Sequence, residues 1–370
     1  MPNKKEGTIR NKHSRKRELS KLFWKDKTVV LLSALTVALA FVFVLLLPQF
    51  VEDFSMGDTD LDDSQFFDEA MFRHPISGAL SFDPIEPTRL FGVMIDNHLD
   101  AWPPSGLDQA MLVVEAPVEA GIPRMLAFFS EEQEIETIGP VRSARPYYLD
   151  WNNELDALYV HVGGSNASLD QIASGGTFDL NQYWYSEYFW RSSYRAAPHN
   201  VYTSTEDLRA FVEDREAADR APEVLYGTWE FKDAQELSGD PVGLHIDFWA
   251  PLYTVDWVYD AEQRRYLRDQ ADDPHLTASG EQIVADNIAV VITDIEVIDY
   301  IGRRDVRTTG EGKGYVLQDG VVINATWKKP SVSERLRFYN SSDEEIKMNA
   351  GITWIEVVPN EDSIEFIETE

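Results

Sequence analysis

The stretch YVLQDGVVINATW, residues 315–327, reads as two strands closed by a two-residue turn. Asp319-Gly320 lies between two β-prone runs, and that dipeptide accepts the positive φ of a type I′ hairpin. Further strands are expected at Tyr253–Tyr259, Ile288–Val297, Arg335–Tyr339 and Ile352–Val358, which makes 245–360 a mostly β region. Upstream, 89–235 mixes the two element types. Strands are expected at Leu90–Ile95, Ala110–Ala116, Arg124–Phe129 and Ala157–Val162, and helices at Pro146–Leu155, Ser165–Ala173 and Glu206–Asp219. The last helix has Ser204 or Thr205 as N-cap and places Leu208, Phe211 and Val212 on one face. Together these regions hold about 270 residues, a length that suits two domains. The expected class is α+β, a mixed α/β first domain followed by a mostly β second one, preceded by one transmembrane helix.

That helix is read from the amino-terminal end. Residues 1–27 carry ten Lys or Arg against three acids, and 28–47 follow as twenty residues without a charge. At about 1.5 Å per residue, such a run crosses the roughly 30 Å hydrocarbon core. The basic flank places residues 1–27 in the cytoplasm and everything after the span outside the plasma membrane. The core is longer than that of a cleavable signal peptide, and LLLPQF at 45–50 is a poor cleavage site. Residues 48–88, acidic and ending in FDPIEPT, read as a linker, and 361–370 as a fraying acidic tail.

Of the chain's 33 bases and 64 acids the tail takes ten and three, so the remainder of the chain is near −38 in charge. A field of that sign excludes nucleic acid as a partner. The chain has no cysteine, which removes disulfides, catalytic thiolates and Cys-ligated metal.

Unusual polar residues gather beside the expected strand ends of the first region: GVMIDNH at 92–98, VVEAPVEAG at 113–121, GPVRSARPYYLDW at 139–151, YVHVGGSNAS at 159–168 and FWRSSYRAAPHN at 189–200. Their order, with GYVLQDGVVINATWKK and MNAGITWIEVVP downstream, resembles the YerB-like family of bacterial exported proteins, over about residues 89–360. The resemblance implies an amino-terminal domain paired with a smaller carboxy-terminal one. It implies no activity, because the family is classed as a domain of unknown function. Many of its members are lipoproteins, whereas this chain carries an apolar span in that place.

The residues themselves suggest several chemistries. Arg142 and Arg145 flank Ser143 just before Pro146, a favoured first helical residue, and a guanidinium pair at a helix start suits phosphate or carboxylate. His161, Arg191, His199 and Asn200 complete such a site if the strand ends converge. Alternatively, the arginines pair with Asp96, Glu115 or Asp150 and lock loops together. Ser165 sits in G-x-S-x-A, one residue from a nucleophile elbow, with His199 as base and Asp179 or Glu187 as orienter. The competing reading makes Ser165 a helix cap. Asp96 and Glu115 near two strand ends form a candidate acid–base pair. For a metal, His161 and His199 with Asp96 or Glu115 offer nitrogen and oxygen, but no paired-His spacing supports a site, so no metal or cofactor is expected. Aromatics crowd 183–190, a strip that stacks on sugar rings if exposed. The favoured expectation is a membrane-anchored extracytoplasmic protein binding an anionic or glycan ligand, such as a cell-wall polymer or lipid-linked precursor. An envelope hydrolase, glycosidase or transferase, and a structural interaction protein, stand as alternatives.

Overall fold

Residues 90–95, LFGVMI, bury every position, as a strand covered on both faces of its sheet requires. The structure is a computed structural model that describes residues 71–85, 87–217, 226–237 and 239–368. Five strands come from the first expected region: β1 (Leu90–Ile95), β2 (Leu112–Pro117), β3 (Pro123–Ser130), β4 (Leu158–His161) and β5 (Asp179–Asn181). Three helices intervene or follow: α1 (Pro146–Asn153), α2 (Asn166–Ala173) and α3 (Thr205–Ala217). The second region supplies β6 (Val242–Asp247), β7 (Thr254–Asp260), β8 (Arg265–Gln270), β9 (Asn287–Ile292) and β10 (Gly310–Gln318). It continues with β11 (Val321–Lys329), β12 (Arg337–Tyr339), β13 (Thr353–Val358) and β14 (Ile364–Glu368). The remaining strands, each of two or three residues, fill some of the gaps and are left unnumbered.

Ten strands form one sheet in the order β12-β11-β10-β9-β13-β2-β3-β1-β4-β5. The centre of this sheet is β13, parallel to β9 on one side and to β2 on the other. A second sheet of six strands is built on β8-β7-β6-β14 with two short partners. Alternation along β1 sorts its side chains between two cores. Phe91, Val93 and Ile95 face the smaller sheet, packing in one cluster with Leu244, Ile246 and Trp257. Leu90 and Met94 face the other way, toward Tyr148, Leu149 and Trp151 of α1. Pro146 opens α1 at its first turn, and the Tyr148 hydroxyl donates to the Ala116 carbonyl at 2.8 Å, tying the helix to β2.

The mixed class holds, with sheet dominating. The hairpin forms where the sequence places it, β10 and β11 joined through Asp319 (φ 54°) and Gly320 (φ 73°). The two expected regions, however, share the ten-stranded sheet and both cores, and both fall within one unit, Ala70–Glu370. The expected fraying tail begins instead with an ordered turn and β14, which pairs antiparallel with β6. Part of the expected linker is also built in, since Ile76 is fully buried in the α1-side core. No helix among the described residues is long and apolar enough to cross a membrane. The expected span 28–47, the basic tail and the linker as far as residue 70 lie outside the described residues.

Candidate functional site

The backbone after β1 turns at Asp96-Asn97-His98, beside two loops that bring in Arg142 and His199. The Asp96 N–H donates to the Pro140 carbonyl at 2.9 Å, and Arg142 N–H to the Met94 carbonyl at 2.7 Å, which lays the 139–142 segment along the end of β1. The Val141 N–H donates to Val201 O at 2.7 Å, drawing the 199–201 segment to the same place.

Asp96 is the hub. Its carboxylate is 3% exposed and receives three groups. His199 Nδ1 lies 2.6 Å from Oδ2, Arg142 Nε lies 3.0 Å from the same oxygen, and the His98 N–H donates to Oδ1 at 3.1 Å. The Arg142 contact is an ion pair rather than a straight hydrogen bond, and its side chain keeps 21% of its surface in solvent. The imidazoles of His98 and His199 stack with centroids 4.4 Å apart and 20° between planes. Arg195 closes the rim by donating to the carbonyls of Asp100 and Pro103. Beside it, Arg191 donates to Asn200 Oδ1 at 2.9 Å, and Asn200 Nδ2 reaches the carbonyls of Ser192 and Arg195. Tyr183, Trp184, Trp190 and Tyr194 are exposed, so half the expected aromatic strip faces solvent, whereas Phe189 is core.

The structure thus gathers Asp96, Arg142, His199, Arg191 and Asn200, and holds the other expected residues in separate tasks. Arg145 forks onto Glu119, Nε to Oε1 at 2.8 Å and Nη2 to Oε2 at 2.7 Å. Burial alone would raise the Glu119 carboxyl, but the Arg145 hydrogen bonds and charge outweigh it and hold the group below its ordinary value. The Ser143 carbonyl is taken by Arg124 at 2.8 Å. His161 is fully buried, with Nδ1 2.7 Å from Gly163 O and Nε2 3.3 Å from Asp179. Ser165 caps α2, its Oγ accepting the Ser168 N–H at 3.2 Å. The Ser165–His199 nucleophile pair therefore does not form, because each group is engaged elsewhere.

Glu115 is also diverted. It is fully buried between the two sheets, 2.8 Å from Arg268 and bonded to the Trp354 indole N–H at 3.0 Å, which leaves no surface for a sugar. Burial raises its pKa against the pull of Arg268. Glu356 stands opposite it on β13 and accepts the Trp257 indole N–H at 2.8 Å. Burial, then the Glu115 charge, pushes the Glu356 carboxyl well above its usual range. Burial first, then the Arg268 charge, lowers the His275 pKa well below normal.

Sequence reasoning missed Asp100, and it singled out the segments holding His98 and Arg195 without giving either residue a place in the site. The run DNHLD at 96–100 carried the only local signal, a histidine and two acids at the end of a strand. A groove of about 660 Å³ elsewhere is lined by Tyr226, Lys328, Arg335, Arg337 and Tyr339. Its cations already hold acids, Lys328 with Asp343, Arg335 with Glu154 and Arg337 with Glu345.

Two family models match, "Protein of unknown function (DUF3048) N-terminal domain" over residues 77–218 and the corresponding C-terminal domain over 244–355. The protein named "Putative lipoprotein YerB" from Bacillus subtilis (strain 168) is 31% identical over 299 residues, 79% of this chain and 87% of its own length. The chain belongs to the YerB-like family. A crystal structure of the Bacillus subtilis YerB protein superposes with a TM-score of 0.71 at 29% identity, covering 80% of this chain and all of that one. The two YerB-like family segments meet within the ten-stranded sheet, where β13 of the second pairs with β2 of the first.

Proposed function

We propose that this protein is an extracytoplasmic component of the bacterial cell envelope, held at the membrane by residues 28–47, that binds an anionic glycan polymer at the corner around Asp96, Arg142 and His199. The YerB relative's name describes a lipoprotein, which suits an envelope location. This sequence has no cysteine to acylate, so the apolar span takes over the attachment. One observation carries the ligand class. In a strongly acidic chain, Arg142 is paired with a buried carboxylate through its Nε and still keeps solvent-facing surface, with His199 on the same carboxylate and exposed Tyr183, Trp184 and Trp190 on the segment leading to His199. A guanidinium suits phosphate or carboxylate, and the aromatic rings suit the faces of sugars.

The test measures binding of a phosphate-bearing wall polymer to the full chain in detergent, against a neutral glycan. Arg142→Ala and His199→Ala should each weaken binding at least ~10-fold, and added salt should weaken it for the wild type. Equal affinity for neutral and phosphorylated polymers would sink the anion reading. A second reading, a hydrolase or transferase, is favoured by the 2.6 Å contact between buried Asp96 and His199 Nδ1, the arrangement that orients an acid–base imidazole. It predicts that wild type cleaves or transfers the bound polymer and that His199→Gln binds it without turnover.

A further inference from the structure

The corner that holds His199 also contains a set of metal-ligand atoms. One ligand atom each from His98, Asp100 and His199 lie within 4.8 Å of one another. His98 Nδ1 and Asp100 Oδ2 are 3.6 Å apart, close to the edge of a tetrahedron with bonds of roughly 2.0–2.2 Å. His199 arrives from a loop a hundred residues away and is fixed independently: Asp96 Oδ2 takes its Nδ1–H at 2.6 Å, leaving Nε2 as the unclaimed lone pair. An outer carboxylate that fixes the tautomer of a ligating histidine is the usual support of a metal site.

We infer that His98, Asp100 and His199 bind a divalent transition metal, with zinc the best match. Two imidazoles and one carboxylate are ligands of that borderline class, and three protein ligands leave a fourth position open for water or an anion. Calcium and magnesium fit poorly, because they take mostly oxygen. Two neighbouring guanidiniums oppose a cation, but both are already engaged. Arg142 balances Asp96, and Arg195 binds the Asp100 carbonyl and leaves its carboxylate exposed and able to swing. His98 Nδ1 now accepts the Asp100 N–H at 3.1 Å and its ring stacks on His199, so ligation requires the half-exposed His98 ring to turn out of that stack and costs both contacts.

This inference is separate from polymer binding, and its test uses the metal alone. The metal-free full chain in detergent is titrated with Zn²⁺ by calorimetry and with Co²⁺ by visible absorption. One equivalent should bind, with the intense d–d bands of a four-coordinate cobalt site. His98→Ala and His199→Ala should abolish those bands. Asp100→Ala, at an exposed position that leaves folding intact, and Asp96→Asn should weaken affinity by roughly 10–100-fold. No binding, or wild-type affinity and spectra in both histidine variants, overturns the site. Loss of metal with polymer binding retained leaves the anion reading standing, and the converse leaves the metal site standing.

Discussion

Arg142 and Arg145 are three residues apart in similar local sequence, and their partners give them different work. Arg142 meets Asp96 and keeps solvent contact, whereas Arg145 spends its fork on Glu119. Arg145→Ala should therefore cost about 2 kcal/mol in urea unfolding and leave polymer binding unchanged. The sequence named Asp96 among the possible partners, which Arg142 takes, but not Glu119, although that acid lies in the singled-out stretch 113–121, because the pairing depends on how distant elements meet. Buried carboxylates make a pH prediction of opposite sign at two places. The lowered Glu119 value means stability present above the ordinary carboxylate range and lost as pH falls through the folded value. The raised Glu356 value means stability complete below the unfolded pKa of 4.5 and lost as pH rises toward the folded value. Glu356→Gln should remove that second loss, so its stability relative to wild type should grow by about 1 kcal/mol or more between mildly acidic and alkaline buffer. A constant difference across that range would show that Glu356 is ionised in the folded protein.

Elements fixed by local chemistry were the legible ones. The Asp319-Gly320 turn needs only its own φ values, and Pro146 marks the start of α1 wherever that helix packs. Ser165 belongs here too. Its Oγ caps α2, so Ser165→Ala should lower stability by about 0.5–2 kcal/mol and Ser165→Asp should restore most of it, read as urea midpoints. Covalent labelling of Ser165 by a fluorophosphonate would contradict the cap assignment. Strands β6, β8 and β14 escaped notice, and for β8 the reason is its run of charged and polar residues. RYLRDQ at 265–270 alternates in burial only because β7 covers one edge and the larger sheet one face. Arg268 at its centre, fully buried against Glu115, reads as a surface residue until its partner strand is known.

At the scale of the molecule, family segments and folding units differ. β13 lies between β9 and β2, so the second family segment, which ends three residues into β13, runs into a strand whose far edge is completed only by residues 112–117. The wild type should unfold in one transition followed identically by Trp fluorescence and far-UV circular dichroism. The fragment 240–370, which keeps β6 to β14 whole, should lack a cooperative melt when made alone. Two separated transitions would show that each segment is a folding unit. The sequence does not display this, since sheet order is a relation between distant stretches and each stretch reads correctly as a strand by itself. The position of β13 also sets a schedule for biosynthesis. β2 leaves the ribosome early, and the strand that fills the place beside it is made roughly 240 residues later, about 10–50 s at ordinary elongation rates. Until then β2 carries an open edge of unpaired N–H and C=O groups, the surface on which nascent chains pair wrongly. The first half of this protein must wait, unfinished, for nearly the last segment of the chain.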